Sequence, residues 1–290
     1  MLRQFAWLLL LAVIWSSSFM AIKVGVTGLP PLTLAAFRVI LAAVILLGFA
    51  RIERAALPRS ARFWTYCLLL GIVGNGLPFT LINWGEQHID SGLTAILMSI
   101  MPLSTVVLAH FFAAGERMTP ARTAGVAVGF CGVVILVGPE ALKGLGGDLW
   151  RQLAVAGGAF CYGVTVILAR NMPPATLMGR SAAVMVVASL VMTPLALAVD
   201  APWRLTPDAD ALAAALYLGV FPTGLATILF FHLVQTAGPG LVAFINYLVP
   251  VFGVAWGALV LDERVTASAV AALVVILAGI AIAQLGRRSG

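Results

Sequence analysis

Long apolar runs alternate with short polar breaks along almost the whole of this chain, falling at approximately 5–24, 32–50, 64–85, 92–114, 119–138, 150–169, 178–199, 211–236, 240–261 and 266–286. Crossing about 30 Å of hydrocarbon takes roughly 20 apolar residues in helical form, so each run predicts one spanning helix. A closed β-barrel would instead show short segments of alternating polarity. The polar stretches, roughly 51–63, 139–149 and 200–210, are too short for a soluble domain. The expected fold is an all-α membrane protein of ten transmembrane helices.

The second half of the pattern repeats the first. A shift of 147 or 148 carries Trp15 onto Tyr162, Lys23 onto Arg170, Gly71 onto Gly219, Gly76 onto Gly224, Gln87 onto Gln235, Gly92 onto Gly240 and Pro102 onto Pro250. It also carries Glu116, Arg117 and Thr119 onto Glu263, Arg264 and Thr266. Five spans per half is an odd number, which forces the two copies to face opposite ways in the bilayer. Residues 1–144 and 145–290 are thus expected to be two inverted five-helix repeats of one membrane domain, the arrangement that secondary transporters use for alternating access.

Composition agrees with a chain immersed in lipid: 62% of residues are hydrophobic, 10% are charged, and the mean hydropathy is +1.07. The formal charge of +6 is a topology signal. With the N-terminus inside, eleven basic residues fall at inner ends and loops (Arg3, Arg51, Arg54, Arg59, Arg62, Arg117, Arg122, Arg170, Arg180, Arg287 and Arg288). Five fall outside (Lys23, Lys143, Arg151, Arg204 and Arg264), and Arg38 lies within a span. The excess of inner positive charge places both termini in the cytoplasm. Because these cations sit at membrane margins and form no soluble basic face, nucleic-acid binding is not expected. The first run follows Arg3 but no A-x-A site follows it, so it reads as a retained helix.

Within the spans, proline marks where helices break. Pro102 frees the carbonyl of Met98 and Pro250 that of Asn246, at matching points of the two halves, and Pro78 and Pro222 do the same in the third and eighth helices. Paired breaks point to a central site with Pro102 and Pro250 as hinges. Gly76, Thr80, Asn83 and Gln87 form a polar stripe on the third helix, and Ser16, Phe19 and Lys23 share a face of the first. Tyr162 and Thr165, then Thr223, Thr227 and His232, then Asn246 and Tyr247 supply further polar groups. Each Ser or Thr also has the plain alternative of bonding its own helix backbone.

Charge inside the spans is sparse. Lys23 and Arg38 would hold an anionic substrate group or tie helix ends to Glu86 and free carbonyls. His110 and His232 are the candidates for proton handling. No Asp or Glu falls in the middle of a run, which argues against the usual carboxylate coupling and against an aspartyl protease; no H-E-x-x-H is present for a zinc enzyme. The expectation is a non-enzyme without cofactor or metal. Cys67, Cys131 and Cys161 are isolated within spans and read as packing residues. Gly125, Gly129 and Gly132, with Gly253 and Gly257, fit the small-xxx-small pattern of close helix contact, which serves internal packing ahead of dimerisation. The expected partners are a small-molecule substrate and the lipid bilayer, and the expected state is a monomer or weak homodimer.

The chain resembles the EamA-type ten-helix transporters of the drug/metabolite transporter superfamily. The likeness rests on W-S-S-S-F-M-A-I-K at Trp15 to Lys23, the P-P-L-T-L-A-A-F-R run ending in Arg38, Pro102 followed by Glu116 and Arg117, and Pro250 followed by Asp262, Glu263 and Arg264. The resemblance implies a multi-pass carrier of the bacterial cytoplasmic membrane that moves small metabolites, often exporting amino acids. It also implies a cavity surrounded by helices one, three, four, six, eight and nine, with the fifth and tenth behind. On this sequence the implied lining is Trp15, Phe19, Phe79, Asn83, Met98, Tyr162, Phe230, Asn246 and Tyr247. Relatives that export aromatic amino acids carry cavity aromatics on the fourth helix, where this chain has Met98 and Met101. The alternatives are a passive facilitator or channel-like pore, which would need a polar lining throughout, and a non-transporting sensor or scaffold, which would carry a larger soluble domain.

Overall fold

The computed structural model describes residues 2–113, 118–137 and 147–285. Their regular structure is helical throughout. In chain order the helices are α1 (Leu2–Gly28), α2 (Pro31–Ile52), α3 (Ala61–Glu86), α4 (Ser91–Phe112) and α5 (Pro120–Val137). They continue as α6 (Gly147–Asn171), α7 (Leu177–Asp200), α8 (Ala209–Ala237), α9 (Ile245–Val260) and α10 (Ala267–Leu285). Eight of these are long and apolar enough to cross a bilayer, and α5 and α9 are shorter apolar helices. Helical structure after α8 runs on to Val242, so the run expected over 240–261 starts its own helix only at Ile245. Glu116, Arg117, Lys143, Arg287 and Arg288 lie outside the described residues.

Helix starts follow local chemistry. Ser60, Thr176 and Asp208 accept hydrogen bonds from the backbone N–H of Phe63, Gly179 and Ala211 at 3.3, 3.2 and 2.8 Å, which satisfies donors that helix geometry leaves free. Pro31 opens α2, where a missing N–H does no harm. Large apolar side chains such as Val44, Leu190, Leu259 and Val274 are exposed, as a lipid-facing surface requires.

The bundle is assembled from pairs. Helix α2 packs along α7 and α5 along α10; α1 lies on α8 and α9, and α6 lies on α3 and α4. The first turns of α4 also pack on α9. Small residues permit these approaches: a Cβ on Gly132 would sit 2.6 Å from the Ile276 side chain and 3.0 Å from the Ala272 carbonyl oxygen. The glycines of α5 therefore serve an internal contact, with Gly125 and Gly132 against α10 and Gly129 against Leu103.

Three helices of the bundle interior are irregular. A π-helical turn interrupts α3 at Ile72–Gly76 and α8 at Gly219–Leu225, and α4 loses helical geometry at Met98 and Ser99. The carbonyls these breaks release find other donors. Asn75 Nδ2 donates to the Leu70 carbonyl at 3.1 Å, and the Thr223 hydroxyl donates to the Leu218 carbonyl, freed by Pro222, at 2.8 Å. The Met98 carbonyl, freed by Pro102, accepts the Met101 N–H at 3.0 Å. At Pro78 and Pro222 the distortion is thus a π-turn rather than a simple proline kink. Around Pro250 the chain breaks earlier, at Ala243 and Phe244, and the proline sits within a continuous α9.

Replacing Gly132 with Leu should destabilise the protein by about 1–3 kcal/mol, the usual cost of overpacking, read as a lower melting temperature in detergent. An unchanged melting temperature would mean that α5 and α10 are not in this contact.

A central cavity as the candidate functional site

The irregular helices converge on a cavity of about 290 Å³. Trp15, Ser18, Phe19 and Ile22 of α1 form one wall, and Asn75, Phe79 and Ile82 of α3 with Met98, Ser99, Met101 and Pro102 of α4 form the next. Tyr162 of α6, Pro222, Thr223 and Thr227 of α8, and Ile245, Asn246, Val249 and Pro250 of α9 complete the ring. Arg38 of α2 and Met185 of α7 close it from behind. An open groove runs along α5 past Phe130, Cys131 and Val134; it is an almost wholly apolar surface, with Thr123 as its one hydroxyl, and lacks the convergent polar groups that orient a ligand.

Arg38 is the charged side chain among the lining residues, and it is only 7% exposed. Its guanidinium lies over the Phe79 ring, 3.9 Å from the centroid, a favourable placement for a desolvated cation. Its Nε donates to the Thr223 hydroxyl oxygen at 2.6 Å, and that hydroxyl donates onward to the Leu218 carbonyl. One threonine therefore both heals the π-turn of α8 and positions the arginine. The terminal guanidinium nitrogens make no hydrogen bond among the described residues, so a planar pair of donors remains for a ligand.

The rest of the wall is aromatic, sulfur-rich and sparingly polar. Trp15 Nε1 donates to the Pro222 carbonyl at 3.1 Å, which fixes the indole against α8. Tyr162 and Asn246 make no side-chain hydrogen bond among the described residues, and the buried Ser99 hydroxyl is also unpartnered. Together they offer a ligand donors and acceptors of either kind. No group of three or more His, Cys, Asp or Glu side chains fit to hold a metal occurs among the described residues.

Of the residues expected from sequence, Trp15, Phe19, Phe79, Met98, Tyr162, Asn246, Pro102, Pro250 and Arg38 line the cavity. Others lie elsewhere. Asn83 is fully buried and donates to the Pro31 carbonyl at 3.0 Å, tying α3 to the start of α2. Phe230 stands behind Trp15 with ring centroids 5.5 Å apart, and Tyr247 packs on Phe244 at 6.2 Å. Lys23 donates to the carbonyls of Glu86 and Ile89 at 3.0 and 2.7 Å, the helix-tying role. His110 and His232 are both exposed outside the cavity, and His110 Nδ1 accepts the Met118 N–H at 3.2 Å. Asn75, Ser99 and Met185 were missed. The repeat shift carries the cavity threonine Thr223 onto Asn75, the one signal that would have found it.

The profile of the EamA-like transporter family matches the chain twice, over residues 3–138 and 149–284. The chain belongs to this family. It is 25% identical over 290 residues to the uncharacterized inner membrane transporter YedA of Escherichia coli (strain K12), covering 99% of this chain and 92% of that protein. It is 31% identical over 252 residues to the probable terminal-alkyne amino-acid exporter of Streptantibioticus cattleyicolor, covering 86% and 82%. Against the probable amino-acid metabolite efflux pump of Escherichia coli (strain K12) it is 28% identical over 291 residues, covering 97% and 94%. A solved crystal structure shares the fold, with a TM-score of 0.68 over 99% of this chain and 98% of that one at 20% identity. This EamA-like protein is accordingly a multi-pass membrane transporter.

Changing Thr223 to Val keeps the shape of the side chain and removes both hydrogen bonds at the π-turn. The expected loss is about 1–3 kcal/mol, from a buried carbonyl and a guanidinium N–H left unpaired, measured by thermal denaturation in detergent. Wild-type stability in this variant would mean that neither bond forms.

Proposed function

We propose that this EamA-like protein is a secondary transporter that exports small amphipathic metabolites, amino acids or related compounds, by alternating access around the central cavity. The observation that carries the reading is the buried Arg38, which lines the cavity together with Trp15, Phe19, Met98 and Met101 and whose terminal nitrogens make no hydrogen bond among the described residues. A substrate carboxylate pairs with the guanidinium, its apolar part lies against the aromatic and thioether wall, and Asn246, Ser99 or Tyr162 takes its remaining polar group. The flexible Met98 and Met101 suit a wall that accepts more than one apolar shape. The names of two relatives, an amino-acid metabolite efflux pump and a terminal-alkyne amino-acid exporter, support the same substrate class.

The mechanism rests on two inverted five-helix repeats, residues 1–144 and 145–290, forming one membrane domain with both termini cytoplasmic. Three observations support it. The family profile matches twice at an offset close to the sequence repeat. Exchanging each helix with its repeat mate turns the contacts of α1 with α8 and α9 into those of α6 with α3 and α4. Asn75 and Thr223, equivalent under the shift, each satisfy an equivalent carbonyl, Leu70 or Leu218. In the cycle, α4 and α9 bend near Pro102 and Pro250 and open the cavity first to one side, then to the other.

Counterflow in proteoliposomes loaded with leucine, phenylalanine or glutamate tests this directly, and saturable exchange is expected. Arg38→Gln, with its folding verified, should weaken amino-acid binding about tenfold or more, the worth of a charge-assisted hydrogen bond, and should leave any binding of amines that lack the carboxylate less affected. Pro102→Ala should slow exchange more than it weakens binding. Non-saturable flux would identify a pore, and equal losses for acids and amines would remove Arg38 from the site.

A further inference from the structure

At the end of the bundle where α1, α3 and α9 finish, a carboxyl is buried outside the cavity. Glu86 is the last residue of α3 and is 0% exposed. Neither Oε1 nor Oε2 meets a hydrogen-bond partner, and the fully buried hydroxyls of Thr94 and Ser91 are unpartnered as well. The third apolar run of the sequence stops at residue 85, and the helix ends one residue later at Glu86, whose carbonyl Lys23 holds.

Burial without hydrogen bonds decides the charge state of such a group. An ionised carboxylate moved into a low-dielectric interior loses many kcal/mol of hydration unless donors replace it, and here none do. The charged neighbours are Lys23, Glu263 and Arg38, and the Thr94 hydroxyl stands beside the carboxyl. Lys23 favours ionisation, but its ammonium is turned onto the carbonyls of Glu86 and Ile89. Arg38 is engaged with Thr223 and Phe79. Glu263 brings a second carboxyl close: its two oxygens accept the backbone N–H groups of Ser91 and Gly92 at 2.7 and 2.9 Å. Asp90, next in chain to that contact, is exposed. A metal cation would have to settle beside the Lys23 ammonium, so a proton is the better occupant.

We propose that Glu86 is a proton-binding site, loaded while this end of the bundle is closed and unloaded to water when it opens. The contacts that enclose it are those that opening must part. Lys23 joins α1 to the end of α3, and Glu263 joins the segment after α9 to the start of α4. Separation of these helices admits water to Glu86 and removes the reason for its protonation. The site deepens the transport reading, on which its coupling role rests, by supplying a carboxyl that ties a proton to the access cycle.

Infrared difference spectroscopy of the purified protein between neutral and alkaline pH, without substrate, tests the site. The wild type should show a protonated carboxyl band at neutral pH that disappears on alkalinisation and is absent from Glu86→Gln. Thr94→Val should shift that band by removing the hydroxyl that stands beside the carboxyl. Identical difference spectra for wild type and Glu86→Gln would overturn the proposal, as would loss of the band on adding sodium at constant pH. For coupling, an imposed pH gradient should drive leucine accumulation in wild-type proteoliposomes and not in Glu86→Gln; equal accumulation in both would overturn it. The spectrum needs no transport, so a wild type that shows the band but exchanges none of leucine, phenylalanine or glutamate keeps the proton site and sinks the amino-acid reading.

Discussion

Lipid supplies no hydrogen bonds, and that single constraint governs this molecule from its helix content to its site. Every backbone carbonyl released inside the bundle must find a donor within the protein. Where α8 makes its π-turn, Thr223 supplies the donor, and where α3 does so, Asn75 supplies it. Both side chains line the central cavity. The irregular backbone and part of the polar cavity wall are therefore one feature, since the groups that repair the helices also line the cavity.

Arg38 shows how the same repair holds a buried charge. An unpaired guanidinium in this interior would be strongly disfavoured, yet Thr223 accepts from its Nε and Phe79 covers its face. The arginine is thus held by a hydroxyl and a ring rather than by an acidic side chain. Charge at the end where α1, α3 and α9 finish is handled differently. There Lys23 and Glu263 are consumed by backbone carbonyls and N–H groups of neighbouring helix ends, and they act as ties between elements rather than as ligand groups.

Hydropathy made the positions of the helices legible because a spanning segment has to be long and continuously apolar. It was least informative at helix ends. The end of α3 falls within one residue of the expected bound, but α9 starts at Ile245 rather than 240 because helical structure after α8 runs on to Val242 through apolar residues. The cavity was legible by helix but not by face. Asn83 shares a stripe with Thr80, yet its side chain turns to Pro31, and Phe230 supports Trp15 from behind. A helix turns about 100° per residue, so a small change of rotation exchanges a lining residue for a packing one. Ser99 lines the cavity beside the break at Met98, which the freed carbonyl of Met98 foreshadows without locating the side chains around it.

The central claim is that one cavity is reached in turn from the two sides of the membrane. Cysteine at position 99, in a protein whose Cys67, Cys131 and Cys161 have been replaced, reports on it directly. Its reaction with a membrane-impermeant thiol reagent would be followed in vesicles of each orientation. The account predicts modification from either side, slowed in both orientations by a bound amino acid. Modification from one side only, whatever the conditions, would contradict it.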